Sequence, residues 1–346
     1  MHPLPPNKNL PIHLLVACFN NTVATYKYYW LLSILNQVEK GSPLISKKVL
    51  FADMVSHAWY TVHYFHVSFG KSDKLGEVTK RLQVIETIPV NSGKADILNQ
   101  LVESNHRETN SLLQHFDNNV PHWFLSPWFP RADKNEIYRN SQDTAQRPLY
   151  ALSKDFISVD LLWYNYLIEN SSLIRSFCYW NLSLFLQNRN PNVPDIPNKL
   201  IKPAVRNSLT KQRNYWKLYA EHQPAAFNCI YTGKNLIDVQ FDVDHFIPYN
   251  FVSHDLLWNL IPADPGFNST KTDKLPTLSR YFQPFFTMQK QSIDYMKQHH
   301  PSNKLLEDYL TLFPDLDTSI TEENYRKRME PILSIAANNG FEYLSL

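Results

Sequence analysis

Glycine and cysteine are both scarce in this sequence. Only 7 of its 346 residues are glycine, which suits a mostly helical protein. The 3 cysteines are unpaired by their spacing, which excludes a disulfide framework and fits a reducing compartment. We therefore expect a mainly helical, cytoplasmic protein.

An excess of one charge and a long apolar run are also missing. The formal net charge is +2, so overall charge does not indicate a nucleic-acid partner. No uninterrupted apolar stretch reaches the roughly 20 residues that a membrane span needs. The start, MHPLPPNKNLP, lacks the cationic and apolar regions of a signal peptide. The sequence thus predicts no membrane association.

Aromatic and apolar residues are plentiful instead. Aromatic residues make up 14% and hydrophobic residues 43% of the chain, enough for a substantial core and too many for disorder. The length allows two or three packed units. We predict a helical domain at 1–195 for targeting, regulation or oligomerisation, a basic helix plus a small module at 196–276, and a helical region at 277–346 that packs on the module. The predicted fold class is mainly α with a small α+β insert.

Helical spacing and capping residues predict most of the elements. Helices are expected over 23–40, 47–69, 74–87 and 95–117, followed by a proline-broken connection over 118–148. The apolar run 156–191 predicts one or two buried helices. Beyond the module, helices are predicted at 280–299, 302–313 and 321–338.

Four separated positions in the module carry groups suited to phosphodiester chemistry. Asp244 offers a carboxylate oxygen and Asn268 an amide oxygen, the donors that a hard cation such as Mg²⁺ prefers. His245 can take a proton from water near neutral pH, because an unperturbed imidazole has a pKa of about 6.5. Adjacent strand residues point to opposite faces, so we expect a bend or bulge at Asp244-His245. Lys271, one helical turn after Asn268, can face the same phosphate.

The series Asp244-His245, Asn259, Asn268 and Lys271 resembles the HNH endonuclease family over residues about 229–276. The nuclease core of that family is the ββα-metal fold. The resemblance implies that His245 is the general base that activates water and that Asp244 and Asn268 hold one Mg²⁺ or Mn²⁺. It also implies that Asn259 fixes the loop that orients His245.

One feature of the family pattern is missing. Many members frame the core with two Cys-x-x-Cys pairs that bind zinc, but here Cys229 is followed by Thr232, and Asp264 and Phe267 replace the second pair. One cysteine cannot form a tetrahedral thiolate site, so we expect no structural zinc. The core would instead be held by apolar residues, namely Ile230, Phe241, Val243, Leu260 and Phe267.

Local patterns predict the elements of the module. Strands are expected near 229–232, 236–244 and 259–262, and a helix over 266–274. The loop over 246–257 contains a second acid–imidazole pair, His254-Asp255. We interpret this pair as a loop cap or a solvated contact rather than as a ligand.

A basic segment precedes the module. It contains no acidic residue and carries Tyr215 and Trp216 together with Lys199, Lys202, Arg206, Lys211, Arg213 and Lys217. The segment is either a helix that lies along a phosphate backbone or a solvated helix face. We favour substrate contact, with Lys211, Arg213, Lys271 and Lys274 binding the substrate.

The sequence predicts a metal-dependent DNA endonuclease. A regulatory protein or a second copy of the chain would be a further partner, and analogy with free-standing HNH proteins suggests restriction or phage defence. One alternative is a non-catalytic platform for nucleic acid or a protein partner on a degenerate HNH fold. Another is an RNA-cutting nuclease, because a metal site reads the phosphate and not the 2′-hydroxyl. The complete Asp244, His245 and Asn268 set favours catalysis.

Overall fold

A computed structural model describes residues 4–201, 207–237 and 239–345. The chain forms two compact units, the first from residues 1–191 and 196–202 and the second from residues 192–195 and 203–346. Helices predominate, and the strands form small antiparallel sheets. The predicted fold class, mainly α with small β elements, is confirmed at this level.

The first unit contains a series of helices and three short strands. Its helices are α1 Ile12–Ala17, α2 Tyr26–Glu39, α3 Lys47–His63, α4 Leu75–Glu86, α5 Lys94–Glu103, α6 Arg107–Gln114, α7 Pro121–Phe124, α8 Lys134–Asn140, α9 Leu161–Glu169 and α10 Ser171–Arg189. Single 3₁₀ turns lie at His115–Asn118, Thr144–Gln146 and Ile196–Lys199.

Several helix boundaries differ from the prediction for local reasons. Helix α3 ends at His63 rather than at 69, because His66 adopts a left-handed backbone with φ of 52° that a helix cannot continue. The helix predicted over 95–117 is two helices, since the backbone becomes extended at Ser104. Helix α9 begins where the Asp160 carboxylate accepts a hydrogen bond from the Leu162 N–H at 3.0 Å.

The first unit also contains a sheet that the sequence did not predict. Strands β1 Leu44–Ser46, β2 Tyr150–Leu152 and β3 Phe156–Val159 pair antiparallel in the order β1-β3-β2. The prediction that the whole run 156–191 is helical was therefore wrong for its first four residues. Their alternating burial marks a strand with one face on the core.

Aromatic side chains fill the core of the first unit. Trp30, Trp59 and Trp163 are fully buried. The Trp30 indole N–H donates to the Tyr150 hydroxyl at 2.9 Å, and that hydroxyl donates to the Pro121 carbonyl at 2.7 Å. The polar tips of Trp30 and Tyr150 thus have the partners that burial requires.

The second unit consists of a hairpin and a short helix backed by longer helices. Its elements are α11 Thr210–His222, β4 Asp242–His245, α12 Tyr249–Val252, β5 Leu260–Ala263, α13 Pro265–Lys271, α14 Leu278–His299 and α15 Glu322–Asn338, with 3₁₀ turns at Pro224–Ala226, Leu257–Asn259 and Lys304–Thr311. The strand predicted at 229–232 is a turn, and the strand predicted at 236–244 is confined to β4.

The helices after the module support its hairpin. Gln289 of α14 is fully buried, and its amide donates to the Leu260 carbonyl of β5 at 2.8 Å. The Tyr325 hydroxyl of α15 donates to the Trp258 carbonyl at 2.7 Å. Within the described residues, no helix is both long enough and apolar enough to span a bilayer.

Candidate functional site

The site is built on the β4–β5 hairpin. The two strands pair antiparallel with Asp244 opposite Ile261 and His245 opposite Leu260. This ladder is regular, so the bend or bulge expected at Asp244-His245 does not occur. Strand alternation instead places Asp242 and Asp244 on one face, and His245, the last residue of β4, on the other.

Asp244 is buried and fully engaged. The Tyr231 hydroxyl donates to its Oδ2 at 2.7 Å, and the Lys271 ammonium donates to its Oδ1 at 3.1 Å. Lys271 also donates to the His245 carbonyl at 2.7 Å. Burial and, to a lesser extent, the negative charge of Asp244 raise the pKa of the Tyr231 hydroxyl well above its ordinary value. Tyr231 therefore remains a neutral donor.

Lys271 does not occupy the position expected of a phosphate contact. Its side chain is 0% exposed, and its ammonium is the counter-ion of Asp244. The expected spacing of one turn from Asn268 is present in α13, but the side chain points to the strand and not to solvent. In this structure Lys271 is part of the support of the site.

Asp242 is a second carboxylate on the Asp244 face, and the sequence analysis missed it. Its Oδ2 accepts a hydrogen bond from the Asn268 amide at 3.2 Å, and its Oδ1 lies 3.7 Å from the Arg213 guanidinium. Arg213 also donates to the Phe241 carbonyl. The signal was present in the Asp-x-Asp alternation of the strand. In the structure, Asn268 therefore contacts Asp242, whereas Asp244 contacts Lys271.

His245 pairs with an acid from the following loop. Its Nε2 lies 2.9 Å from Asp255 Oδ1, and the His245 side chain is only 11% exposed. The interpretation of His254-Asp255 as a loop cap or solvated contact was therefore wrong for Asp255. Sequence spacing gave no sign of this pair, because the loop fold determines it. Nδ1 of His245 has no protein hydrogen-bond partner within the described residues.

Asn259 connects the two sides of the loop that carries Asp255. Its side chain is fully buried. The amide oxygen accepts from the Ile247 N–H at 2.8 Å, and the amide nitrogen donates to the Ile247 carbonyl at 2.8 Å. Asn259 therefore binds both backbone groups of a residue two positions after His245, which fixes the chain where it leaves β4.

Residues 229–277 match the HNH endonuclease family model. The predicted resemblance is confirmed over this stretch, which contains the hairpin, the loop and α13. Comparison with curated proteins and with solved structures gave no significant match.

Other residues occupy the places of a zinc site in this HNH module. Cys229 is buried, and Asp264 caps α13 by accepting from the Phe267 N–H at 3.0 Å. The Phe267 ring stacks on Tyr231 with centroids 4.8 Å apart. An aromatic contact thus joins the turn before the hairpin to the helix after it.

The basic segment before the HNH module does not form one surface. Lys199 is buried in the first unit, while Lys202 and Arg206 lie outside the described residues. Tyr215 and Trp216 of the same segment are buried core residues, because the amphipathic α11 turns its aromatic residues inward.

Lys211 and Lys274 are the predicted substrate contacts that retain access to solvent. Lys211 is exposed near the start of α11, and Lys274 is half-buried after α13. Neither ammonium has an ion-pair partner within the described residues. Both can therefore meet a phosphate.

The donor set of the HNH module suits a hard divalent cation. Asp242 and Asp244 contribute carboxylate oxygens and Asn268 an amide oxygen, the ligand types of Mg²⁺ and Mn²⁺. Within the described residues, no group of three or more His, Cys, Asp and Glu could hold a metal by itself. A magnesium site with few protein ligands agrees with this, because Mg²⁺ keeps several waters and binds substrate phosphate.

Proposed function

We propose that this protein is a metal-dependent endonuclease that hydrolyses phosphodiester bonds of DNA. The observation that carries the proposal is the pairing of His245 with Asp255 at the end of the strand that also carries the oxygen donors Asp242 and Asp244, within a stretch that matches HNH endonucleases. Hydrolysis needs a base for water and a counter-charge for the phosphate. Both kinds of group are present in the module.

His245 is the general base in this proposal. Asp255 accepts a hydrogen bond from the Nε2–H group, so the Nδ1 lone pair is available to take a proton from the attacking water. The Asp255 carboxylate then stabilises the imidazolium that forms. Asn259 acts indirectly as a positioning residue, because its two hydrogen bonds to the Ile247 backbone fix the chain just after His245.

Asp244 and Asn268 are the proposed ligands of one Mg²⁺ or Mn²⁺, with Asp242 beside them. A bound cation of this kind would polarise the scissile phosphate and stabilise the leaving oxygen. In the structure both Asp244 oxygens are occupied by Lys271 and Tyr231. For Asp244 to serve as a ligand, Lys271 must release one oxygen. In this proposal the Lys271 ammonium is the group that a bound metal ion would replace at Asp244.

The substrate backbone is bound by cations that reach solvent. Lys211 and Lys274 remain proposed phosphate contacts, whereas Arg213 would act mainly by holding Asp242. The fold of the module that we propose is the ββα-metal arrangement of β4, β5 and α13. We further propose, by family analogy alone, a cytoplasmic role in restriction or phage defence under the restraint of a protein partner or a second copy.

Plasmid cleavage by the purified full chain tests the proposal. The assay compares Mg²⁺, Mn²⁺ and EDTA for the wild type and His245→Ala, with the fold of each checked by circular dichroism. We expect metal-dependent cutting that falls by about 10²–10⁴-fold in the variant, the usual contribution of a general base. Cutting that is unaffected by the substitution would refute the assignment of His245.

A parallel assay with RNA of the same sequence separates the main alternatives. DNA cleavage without RNA cleavage supports the proposal, and the reverse result replaces it with an RNA nuclease. Binding of DNA with no cleavage in any metal, at several ionic strengths, would favour a binding platform on an HNH fold.

A further inference from the structure

A cavity in the first unit lies far along the chain from the HNH module. Its volume is about 540 Å³, within the range of about 300–1,000 Å³ that small-molecule sites occupy. The segment before α2, the start of α2, the turn before α4 and the region from the 3₁₀ turn to α7 form its walls. Its lining includes Asn21, Lys27, Ser72, Asn119 and Trp123.

The charge of the cavity wall is of one sign. Lys27, Lys74 and His115 line it, and no aspartate or glutamate does so. Lys74 is already paired with Glu77 at 2.7 Å. Lys27 is half-buried and has no hydrogen bond or ion pair within the described residues. Burial lowers the pKa of its ammonium from the ordinary value. An anionic ligand would offset this unpaired, partly desolvated charge.

An exposed indole forms another part of the wall. Trp123 is 48% exposed although it stands in a short helix whose neighbours Phe124 and Leu125 are fully buried. A flat, exposed aromatic face beside a cation is the combination that binds nucleobases, because any base can stack on it. Tryptophan also has a large apolar surface whose burial by a ligand or partner is favourable.

Polar groups between the cation and the indole complete the cavity. Asn21 and Ser72 make no hydrogen bond through their side chains within the described residues. The Asn119 amide makes only a 3.3 Å bond to the His115 carbonyl. Amide and hydroxyl groups of this kind can read the edge of a base or a sugar hydroxyl.

We propose that this cavity binds a nucleotide, with the phosphate on Lys27 and the base on Trp123. The volume suits one free nucleotide rather than a nucleic-acid strand that passes through it. The helical unit would then be a ligand-binding part of the protein. This proposal is independent of the nuclease function, because none of the residues involved belongs to the HNH module.

Isothermal titration calorimetry on the full chain tests the proposal without divalent metal, so cleavage plays no part in the readout. The probes are the four ribonucleoside monophosphates, the matching nucleosides and inorganic phosphate. We expect at least one nucleotide to bind at least tenfold more tightly than its nucleoside or phosphate alone. Lys27→Met and Trp123→Ala should each weaken that binding at least tenfold.

Lys80→Met is the matched control, because it removes the same charge from an exposed position of α4 that does not line the cavity. Its nucleotide affinity should equal that of the wild type. Circular dichroism and thermal melting identify any variant that fails to fold, and Trp123→Leu then replaces Trp123→Ala. The proposal is overturned if no nucleotide binds at millimolar concentration, or if Lys27 and Trp123 variants bind as well as the wild type. A single-stranded oligonucleotide that binds more tightly than every nucleotide, and loses binding in the same variants, would replace the free nucleotide as the ligand.

Discussion

Lys47 in the first unit and Lys271 in the second are both buried in closely similar surroundings. Their side chains are 3% and 0% exposed. Lys47 contacts Asp117 at 2.8 Å and a backbone carbonyl at 3.0 Å, and its ammonium lies 4.8 Å from the Tyr138 ring centre. Lys271 contacts Asp244 at 3.1 Å and a carbonyl at 2.7 Å, with the Tyr231 ring centre 5.9 Å away.

What differs between the two clusters is the chemistry next to the aspartate. Asp117 stands in a 3₁₀ turn and has a second lysine, Lys134, at 3.8 Å. Asp244 shares a strand face with Asp242, which binds Asn268. The first cluster adds one lysine to its aspartate, whereas the second adds the carboxylate of Asp242 and the amide of Asn268. Under the proposed function, the Lys–Asp–Tyr arrangement is structural in the first unit and exchanges its lysine for a metal ion in the second.

The largest effects should come from removing the two lysines. Lys271→Met leaves the buried Asp244 carboxylate without its cation, which destabilises a protein by about 3–5 kcal/mol. Lys47→Met should cost less, because the partly exposed Asp117 keeps Lys134 at 3.8 Å. In EDTA we expect both variants to unfold at lower urea concentration than the wild type. Added Mg²⁺ should restore much of the stability of Lys271→Met, because the metal binds the carboxylate that the lysine leaves.

Lys47→Met provides the matched control for that experiment. Mg²⁺ should leave its urea midpoint unchanged, since Asp117 keeps the Lys134 ammonium at 3.8 Å and has no second carboxylate as an ion-pair neighbour of that lysine within the described residues. An equal response of the two variants to Mg²⁺ would remove the distinction between the clusters. Lys80→Met reports any general effect of losing one positive charge.

Removing the two tyrosine hydroxyls should give smaller losses. Tyr231→Phe deletes a hydrogen bond to a carboxylate and Tyr138→Phe one from an ammonium, each worth about 1.5–3 kcal/mol. Burial raises the pKa of Tyr138 to about 12 and raises that of Tyr231 well above its ordinary value, so both are protonated at neutral pH. Only Tyr231→Phe should lower the Mg²⁺ concentration for half-maximal cleavage, because it frees an oxygen of Asp244. A higher Mg²⁺ requirement in Tyr231→Phe would contradict this.

Asp255→Asn addresses the opposite face of β4, for which the first cluster has no counterpart. An asparagine amide can donate to His245 Nε2 and so favour the tautomer that carries its proton on Nδ1. We expect cleavage to fall by about 10–100-fold, as for other orienting partners, with no change in Mg²⁺ affinity. The rate at saturating Mg²⁺, measured across pH, tests this. Recovery of the rate by additional Mg²⁺ would place Asp255 on the metal side instead.

The smallest effect concerns acid stability of the first unit, where His63 and His122 form no ion pair with an acid within the described residues. Burial lowers the pKa of His63 and of His122 to about 4, whereas an unfolded histidine has a pKa near 6.5. Between those values the unfolded chain binds more protons, so stability falls as pH falls from 6.5 to 4. Urea midpoints at pH 7 and 4.5 should differ less in His122→Gln than in the wild type. An identical difference would show that His122 does not contribute.

Long elements with their own periodicity were predictable from the sequence. Helices α2 and α3 were found near their predicted positions because a continuous apolar face requires no distant partner. The sheet of β1, β2 and β3 was not predicted, since strands of three or four residues show almost no periodicity. Strand β1 is also paired with a segment more than 100 residues away, which no local pattern encodes.

The candidate site, like the fold, was predictable from the sequence only in part. Asp244, His245, Asn259 and Asn268 were identified because their spacing matches a family pattern that the comparison confirms for residues 229–277. Asp255 was misread, because only the folded loop brings its carboxylate to His245. Lys271 was placed on the correct turn of α13, but helical spacing does not reveal whether a side chain points to solvent or to a strand.

The stack of Phe267 on Tyr231 has a consequence for the conditions under which the module stays folded. Zinc held by thiolates is lost when oxidants attack the sulfur atoms, and the fold that depends on it is lost as well. An aromatic contact contains no sulfur, and Cys229 is buried away from solvent. The hairpin and its helix should therefore keep their arrangement during oxidative stress, when a thiolate-held module would come apart.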